Sequence, residues 1–226
     1  MNRTGSYSSK RRQLFMAAVI FTGMAVLIWM LFAIPETARL VQTVDDWWHD
    51  LMVDLEWAPL VGVAKVFSIV GSVWVMLPLF LLIALWLGIR DQWYGLKVWL
   101  VAVIPSQLIS AASKLLYARP RPDDRLVDPT TWSFPSGHST QAAVLGICLA
   151  LILAPPGRRR VAWLTIAVVY ALIMGWTRTY LRVHWSSDVV GGLLLGTSCA
   201  LWAVMIVRGP PQTEKPGDVG NVGLTN

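Results

Sequence analysis

Residues 161–207 read VAWLTIAVVYALIMGWTRTYLRVHWSSDVVGGLLLGTSCALWAVMIV. Two apolar runs, 161–177 and 189–207, flank a short polar hinge that carries Arg178, Arg182, His184 and Asp188, and neither run holds a Lys, Arg, Asp or Glu. A helix of about 20 apolar residues crosses the ~30 Å hydrocarbon core of a bilayer, and it satisfies its own backbone hydrogen bonds where water cannot. The two runs therefore predict a hairpin of membrane helices with its polar hinge at one membrane surface.

The same pattern recurs upstream. Apolar runs at 14–34, 60–87, 98–113 and 138–154 join these two, and together they predict an all-α bundle of six transmembrane helices. Composition agrees, with 55% hydrophobic and 14% charged residues in 226, against about 25% charged in a soluble domain. The 13 Trp suit a chain with two membrane interfaces. The net charge of +6 does not read as a nucleic-acid surface, because most basic residues sit beside apolar spans. Cys148 and Cys199 lie inside apolar runs at no metal-ligand spacing. The first run is followed by Pro35-Glu36-Thr37 without a small-residue cleavage site, so it reads as a span rather than a signal peptide.

Lys/Arg bias in short loops sets orientation. Arg3, Lys10, Arg11 and Arg12 place a 1–13 segment in the cytoplasm, followed by a membrane domain at 14–208. Arg90, Lys97 and Arg158, Arg159, Arg160 then fall inside, as does a 209–226 tail rich in Pro, Gly, Thr and Asn that reads as disordered. Both termini are expected on the cytoplasmic side of the membrane. Two outer loops break the rule, one with Lys114, Arg119, Arg121 and Arg125, the other with Arg178 and Arg182. Topology disfavours so many outer cations, and binding an anion supplies a reason for them.

The outer segment 37–57 has Leu40, Val44, Trp48, Leu51 and Leu55 at helical spacing, with Asp45, Asp46, Asp50 and Asp54 on other faces. It reads as an amphipathic helix, either a connector packed on the bundle or a guide for a lipid.

Three clusters fall at the outer ends of the third to sixth spans. They are Lys114-Leu-Leu-Tyr-Ala-Arg-Pro-Arg121-Pro122, then Pro135-Ser136-Gly137-His138, then Thr177-Arg178 followed by His184 and Asp188. A phosphoryl group in transfer spreads negative charge over its oxygens and needs fixed cations and N–H donors. Lys114, Arg121 and Arg178 supply the charge, and Ser136 and Gly137 stand where a helix N-terminus offers free N–H groups. His184 and Asp188, four apart, share a helical face, so the carboxylate can hold one imidazole nitrogen while the other attacks phosphorus. His138 is placed to donate a proton to the leaving oxygen. The clusters lack the paired carboxylates of a magnesium site, so no metal or other cofactor is expected.

These clusters resemble the three motifs of the type 2 phosphatidic acid phosphatase superfamily. Lys114, Arg121 and Pro122 match the first, Pro135 to His138 the second, and Arg178, His184 and Asp188 the third, where Thr177 stands in place of the usual Ser. The resemblance implies that His184 forms a phosphohistidine, Asp188 orients it, His138 is the acid, and Lys114, Arg121, Ser136, Gly137 and Arg178 bind phosphate. Arg119, Arg125, Arg182 and Lys65 read instead as snorkelling flanks, His49 as structural, Asp123 and Asp124 as solvated, and Gly192 with Gly196 as a helix-packing pair.

The expected activity is hydrolysis of a lipid phosphate or diphosphate at the outer face of the membrane, and the small size and short loops resemble bacterial members of the family, which implies a plasma (bacterial inner) membrane. Undecaprenyl diphosphate, phosphatidylglycerophosphate and phosphatidic acid remain open as substrates, and membrane lipids are the expected surroundings. A phosphotransferase, or a non-catalytic lipid-binding or transport protein on the same scaffold, are the competing readings. The sequence is silent on oligomeric state.

Overall fold

The computed structural model describes residues 3–207, with side chains from residue 11 on. Among the described residues the chain forms eight helices and no strand: α1 (Arg3–Ala33), α2 (Pro35–Asp54), α3 (Ala58–Val70), α4 (Val73–Ile89), α5 (Trp93–Tyr117), α6 (Gly137–Leu153), α7 (Arg158–Tyr180) and α8 (Ser186–Ile206). The tail expected to be disordered lies outside the described residues.

Four helices, α5, α7, α8 and the stretch Arg11–Ala33 of α1, are long and apolar enough to cross a membrane, and the bent pair α3–α4 makes a fifth candidate. The helix α6 has 17 residues, about 25 Å at 1.5 Å per residue. The expectation of six full-length spans thus meets four long helices, one broken pair and one short helix. The short one lies among its neighbours: α6 packs on α5, α7 and α8.

Close approach in the centre depends on small residues. A Cβ on Gly192 would come within 2.5 Å of the Ser136 carbonyl oxygen, and one on Gly196 within 2.4 Å of the Thr140 carbonyl oxygen. The expected packing pair is therefore real, and it seats α8 against the backbone of α6.

The expected continuous span at 60–87 is broken. The chain bends by 47° between α3 and α4, at Gly71 and Ser72. A Cβ on Gly71 would meet His138 Cδ2 at 2.5 Å and Met174 Cε at 3.0 Å. The α3 helix leans on α7 while α4 packs on α5. Hydropathy alone could not reveal this break, because both halves are apolar.

The amphipathic outer helix exists as α2, and of the expected stripe only Trp48 and Leu51 pack on the core. Leu40 and Val44 are exposed, whereas Asp45 and Met52 are buried. Residues 45, 48 and 52 share one face at the i, i+3, i+7 spacing, and α2 packs on α1, α7 and α8 through it.

Loop chemistry gathers the motifs at one end. The α5 helix stops at Ala118 in a left-handed conformation (φ 41°), and Pro120 and Pro122 then forbid helix continuation. The Ser136 N–H donates to the Asp188 carbonyl at 3.0 Å, which joins the N-termini of α6 and α8.

Substituting Gly196 by Ala should overpack the α6–α8 contact by about 1–3 kcal/mol and lower the melting temperature in detergent by several degrees. Gly23→Ala serves as control, because nothing lies within 4 Å of a Cβ there. Equal melting temperatures for the two variants would contradict the close packing.

Candidate active site

The bundle end that collects the motifs encloses a cavity of about 490 Å³ lined by Lys114, Arg121, Gly137, His138, Arg178 and His184, among others. These six residues come from five elements. Lys114 is in the last turn of α5, His138 in the first turn of α6, Arg178 near the end of α7, while Arg121 and His184 sit in the loops after α5 and α7.

His184 Nε2 lies 3.0 Å from Arg121 Nη1. A guanidinium only donates, so Nε2 is the accepting, unprotonated nitrogen. The Nδ1 atom then carries the proton and faces Asp188 Oδ2 at 3.4 Å. Burial, reinforced by Arg121 and Lys114, drives the His184 imidazolium well below its usual range, against the opposing pull of Asp188. The ring is held neutral, the form that can act as a nucleophile.

Asp188 is fully buried and fully partnered. Its Oδ1 accepts from Arg119 Nη1 at 2.7 Å. Its Oδ2 accepts from the Trp185 N–H at 2.9 Å and from the Ser133 hydroxyl. Because it stands at the third position of α8, the carboxylate caps the helix and orients the ring at once.

The cations divide into two classes by their partners. Lys114 Nζ donates to the Trp132 carbonyl at 2.7 Å. Arg121 donates to the carbonyls of Thr131, at 2.7 Å, and of Val183. Arg178 donates to Ser68 Oγ at 2.8 Å and to the Ala64 carbonyl at 3.3 Å. None of these partners is a carboxylate, so the positive charge of all three is left for a ligand. Burial lowers the Arg121 guanidinium to about 10, with Asp188 opposing and Arg125 adding to the fall; it remains charged at neutral pH.

Arg119 and Arg182 are different. Arg119 bridges Asp188 and Asp45, each at 2.7 Å, and stacks 4.6 Å from the Phe32 ring. Arg182 pairs with Glu56 and, at 3.0 Å, with Asp124. Both arginines are about 8% exposed, so neither is the snorkelling flank expected, and Asp124 is a partner rather than a purely solvated acid. Arg125 is exposed, and Arg125 Nη1 donates to the Pro122 carbonyl.

Two expected site residues stand elsewhere than in the cavity wall. Asp188 lies behind His184. Ser136 is fully buried, and its hydroxyl oxygen caps α6 by accepting from the Ser139 N–H and hydroxyl, the latter at 3.0 Å. Gly137 and His138 line the cavity in front of it, and His138 Nε2 lies 3.1 Å from the Ser68 carbonyl.

Sequence reasoning missed Arg119, Asp45, Ser133, Ser68 and Gly71. Asp45 had a legible signal: it sits seven residues before Met52, on the same face. The others carry none, because their partners are 55 to 110 residues away. Among the described residues, no three His, Cys, Asp or Glu side chains gather as metal ligands would.

Comparison with known proteins gives the following. The family model of the PAP2 superfamily matches residues 95–210. Phosphatidylglycerophosphatase B of Bacillus subtilis is 37% identical over 112 residues, 47% of this chain and 55% of that protein; the match spans about half of the relative's length. The undecaprenyl-diphosphatase of Sulfolobus acidocaldarius is 27% identical over 157 residues, 66% of this chain and 71% of that protein. The crystal structure of a transmembrane PAP2-type phosphatidylglycerolphosphate phosphatase from Bacillus subtilis superposes with a TM-score of 0.65 at 30% identity, over 86% of this chain and 94% of that one. Aquifex aeolicus LpxE superposes at 0.56 with 25% identity, over 69% and 91%.

Two measurements check the geometry. An ordinary imidazole, with pKa about 6.5, is about nine-tenths protonated at pH 5.5; nitrogen-15 NMR should find His184 still neutral there, and a midpoint at or above about 6.5 would contradict the buried, cation-flanked ring. Arg119→Ala should cost about 3–5 kcal/mol, because it strands two buried carboxylates, whereas Arg125→Ala should stay within about 0.5 kcal/mol. Equal denaturation midpoints would refute the bridge.

Proposed function

This chain belongs to the PAP2 superfamily, and from that premise we propose that it is a membrane phosphatase acting on a lipid phosphate through a phosphohistidine on His184. It is a multi-pass membrane protein. The observation that carries the reading is the neutral His184 ring, backed by a buried carboxylate and facing a cavity with three cations that no carboxylate neutralises.

The chemistry follows from that arrangement. An entering phosphate takes the Arg121, Lys114 and Arg178 donors and the Gly137 N–H, and Arg121 gives up its contact with His184 Nε2. The freed lone pair attacks phosphorus as the bond to the leaving oxygen breaks, and His138, carried into this step as the imidazolium beside the bound phosphate, gives that oxygen a proton and becomes neutral. The imidazolium forming at His184 keeps its Nδ1 proton toward Asp188. Water then attacks the phosphohistidine, His138 takes the proton, and inorganic phosphate leaves. The cations supply the charge a metal would bring, so the reaction proceeds without one.

The lysine and arginine distribution supports a cytoplasmic placement of both termini and an outer location for the site, with six crossings if α6 and the α3–α4 pair each count as one. Such a site lies at headgroup level, where a lipid keeps its tail in the bilayer while its phosphate enters. The relatives, a phosphatidylglycerophosphatase and an undecaprenyl-diphosphatase, support a lipid phosphate or diphosphate as substrate.

The test uses the full chain in detergent with EDTA present throughout, and reads phosphate release and acid-quenched phosphoenzyme. His184→Ala should abolish both. His138→Ala should slow a lipid phosphomonoester roughly 100- to 10,000-fold, the usual worth of a general acid, and an aryl phosphate less, because its leaving group needs less help. A phosphoenzyme that persists in His184→Ala would overturn the assignment of the nucleophile.

A further inference from the structure

Asp45 lies outside the three motifs, yet it is 1% exposed and every group bonded to it donates. Its Oδ1 accepts from the Ser186 hydroxyl at 2.6 Å and from the Ser187 N–H at 2.8 Å. Its Oδ2 accepts from Arg119 Nη2 at 2.7 Å and from the Ser187 hydroxyl at 2.5 Å. A guanidinium only donates, so the Ser187 hydroxyl, 2.8 Å from Arg119 Nη1, accepts from the arginine and turns its own O–H to Asp45. The same Nη1 donates to Asp188 Oδ1 at 2.7 Å, and Asp188 Oδ2 faces His184 Nδ1 at 3.4 Å. One line of polar contacts thus runs from the surface helix α2 to the attacking imidazole.

Joining these segments does not by itself require charge. Apolar residues of similar volume can replace a buried ion cluster without loss of stability, so the charges call for a use. Their sum supplies one. Arg119 stands between two carboxylates, and the cluster keeps one net negative charge while His184 is neutral. Once Nε2 is bonded to phosphorus the ring carries a positive charge, and the two balance. Burial, then Arg121 and Lys114, already disfavour a cationic ring. The N-terminus of α8, two residues after His184, adds a further positive end. Without Asp45, Arg119 and Asp188 would cancel each other, and the ring would meet these opposing groups with no net counter-charge.

We infer that Asp45 is a positioning residue for the phosphoryl transfer: by answering Arg119 and the start of α8 from the far side, it leaves the charge of Asp188 uncancelled for the imidazolium that forms on His184. This inference rests on the phosphatase reading above. Asp45 touches neither the substrate nor a reacting atom, and acts through Arg119 and Asp188. Its contribution is to the state in which Nε2 is bonded to phosphorus. Lys114, Arg121 and Arg178 bind phosphate without it.

The full chain in detergent, given an aryl phosphate, tests this with two inhibitors. Inorganic phosphate reads the cationic cradle. Orthovanadate reads the five-coordinate state bonded to His184, as a transition-state analogue. Asp45→Asn keeps the shape and removes the charge. It should weaken vanadate and lower kcat roughly 10- to 100-fold, the usual cost of losing a partner one step behind a reactive imidazole, and leave inhibition by phosphate unchanged. Asp45→Asn combined with Arg119→Gln removes one charge of each sign, so vanadate affinity and kcat should recover toward wild type. A merely structural bridge gives the reverse, because the double variant loses more contacts. Gln42 Oε1 accepts from Arg119 Nη2 at 2.7 Å, so Gln42→Glu adds a carboxylate on the far side of Arg119 and should tighten vanadate. Unchanged vanadate affinity and kcat in Asp45→Asn overturn the inference. So does equal weakening of vanadate and phosphate, or a double variant worse than the single. If Asp45→Asn does not fold, Gln42→Glu decides: tighter vanadate supports the inference, and unchanged or weaker vanadate overturns it. A wild type that neither hydrolyses the ester nor binds vanadate sinks the phosphatase reading itself.

Discussion

The guanidinium of Arg119, closed between the carboxylates of Asp45 and Asp188, is the contact on which the functional end of this molecule depends. A buried charge is tolerated only when it is paired and hydrogen-bonded. Here one cation answers two carboxylates from two different helices. The remaining valences are filled locally: Asp45 also accepts from Ser186 Oγ and from the Ser187 N–H at 2.6 and 2.8 Å, and Asp188 from Ser133 and Trp185. The surface helix α2, the loop after α5 and the start of α8 are thereby fixed to one another. His184 sits in the segment just before that start, so the orientation of its ring is inherited from the same network.

Charge is distributed around this anchor in a way that separates structure from chemistry. Arginines that hold the fold together have carboxylate partners: Arg119 with Asp45 and Asp188, Arg182 with Glu56 and Asp124. The cations that face the cavity are held instead by carbonyls and hydroxyls. Such partners fix position but do not cancel charge, and in a poorly hydrated cleft uncancelled charge acts strongly on a ligand. A phosphate would therefore meet an arrangement that is already in place and needs little rearrangement.

The break between α3 and α4 illustrates how packing overrules a hydropathy pattern. Residues 60–87 are apolar enough to run as one span, yet the histidine of the second motif occupies the place that a side chain at 71 would need. The chain bends there, and the bend leaves Ser68 within reach of both His138 and Arg178. A similar lesson attaches to α2, whose buried face includes a carboxylate. Of the apolar stripe Leu40, Val44, Trp48, Leu51 and Leu55, only Trp48 and Leu51 pack on the core, and the buried face runs through Asp45, which pairs with Arg119.

What the sequence determined by itself is what depends on local pattern. Long uncharged runs set the helices, Pro and left-handed caps end them, and the three clusters on opposite sides of hairpins bring Lys114, Arg121, His138, Arg178 and His184 to one end, because antiparallel helices leave no other arrangement. The tertiary structure alone decided which of the chemically similar residues do which work. Arg119 and Arg121 are two residues apart and indistinguishable by charge, yet one turns to buried carboxylates and the other to the cavity. Ser136, which a motif would place against the ligand, is turned inward to cap α6, and Ser133 stands beside Asp188. These assignments rest on contacts between residues far apart in the chain. They are fixed only when every buried charge and polar group must find its partner at once, and no local pattern records that condition.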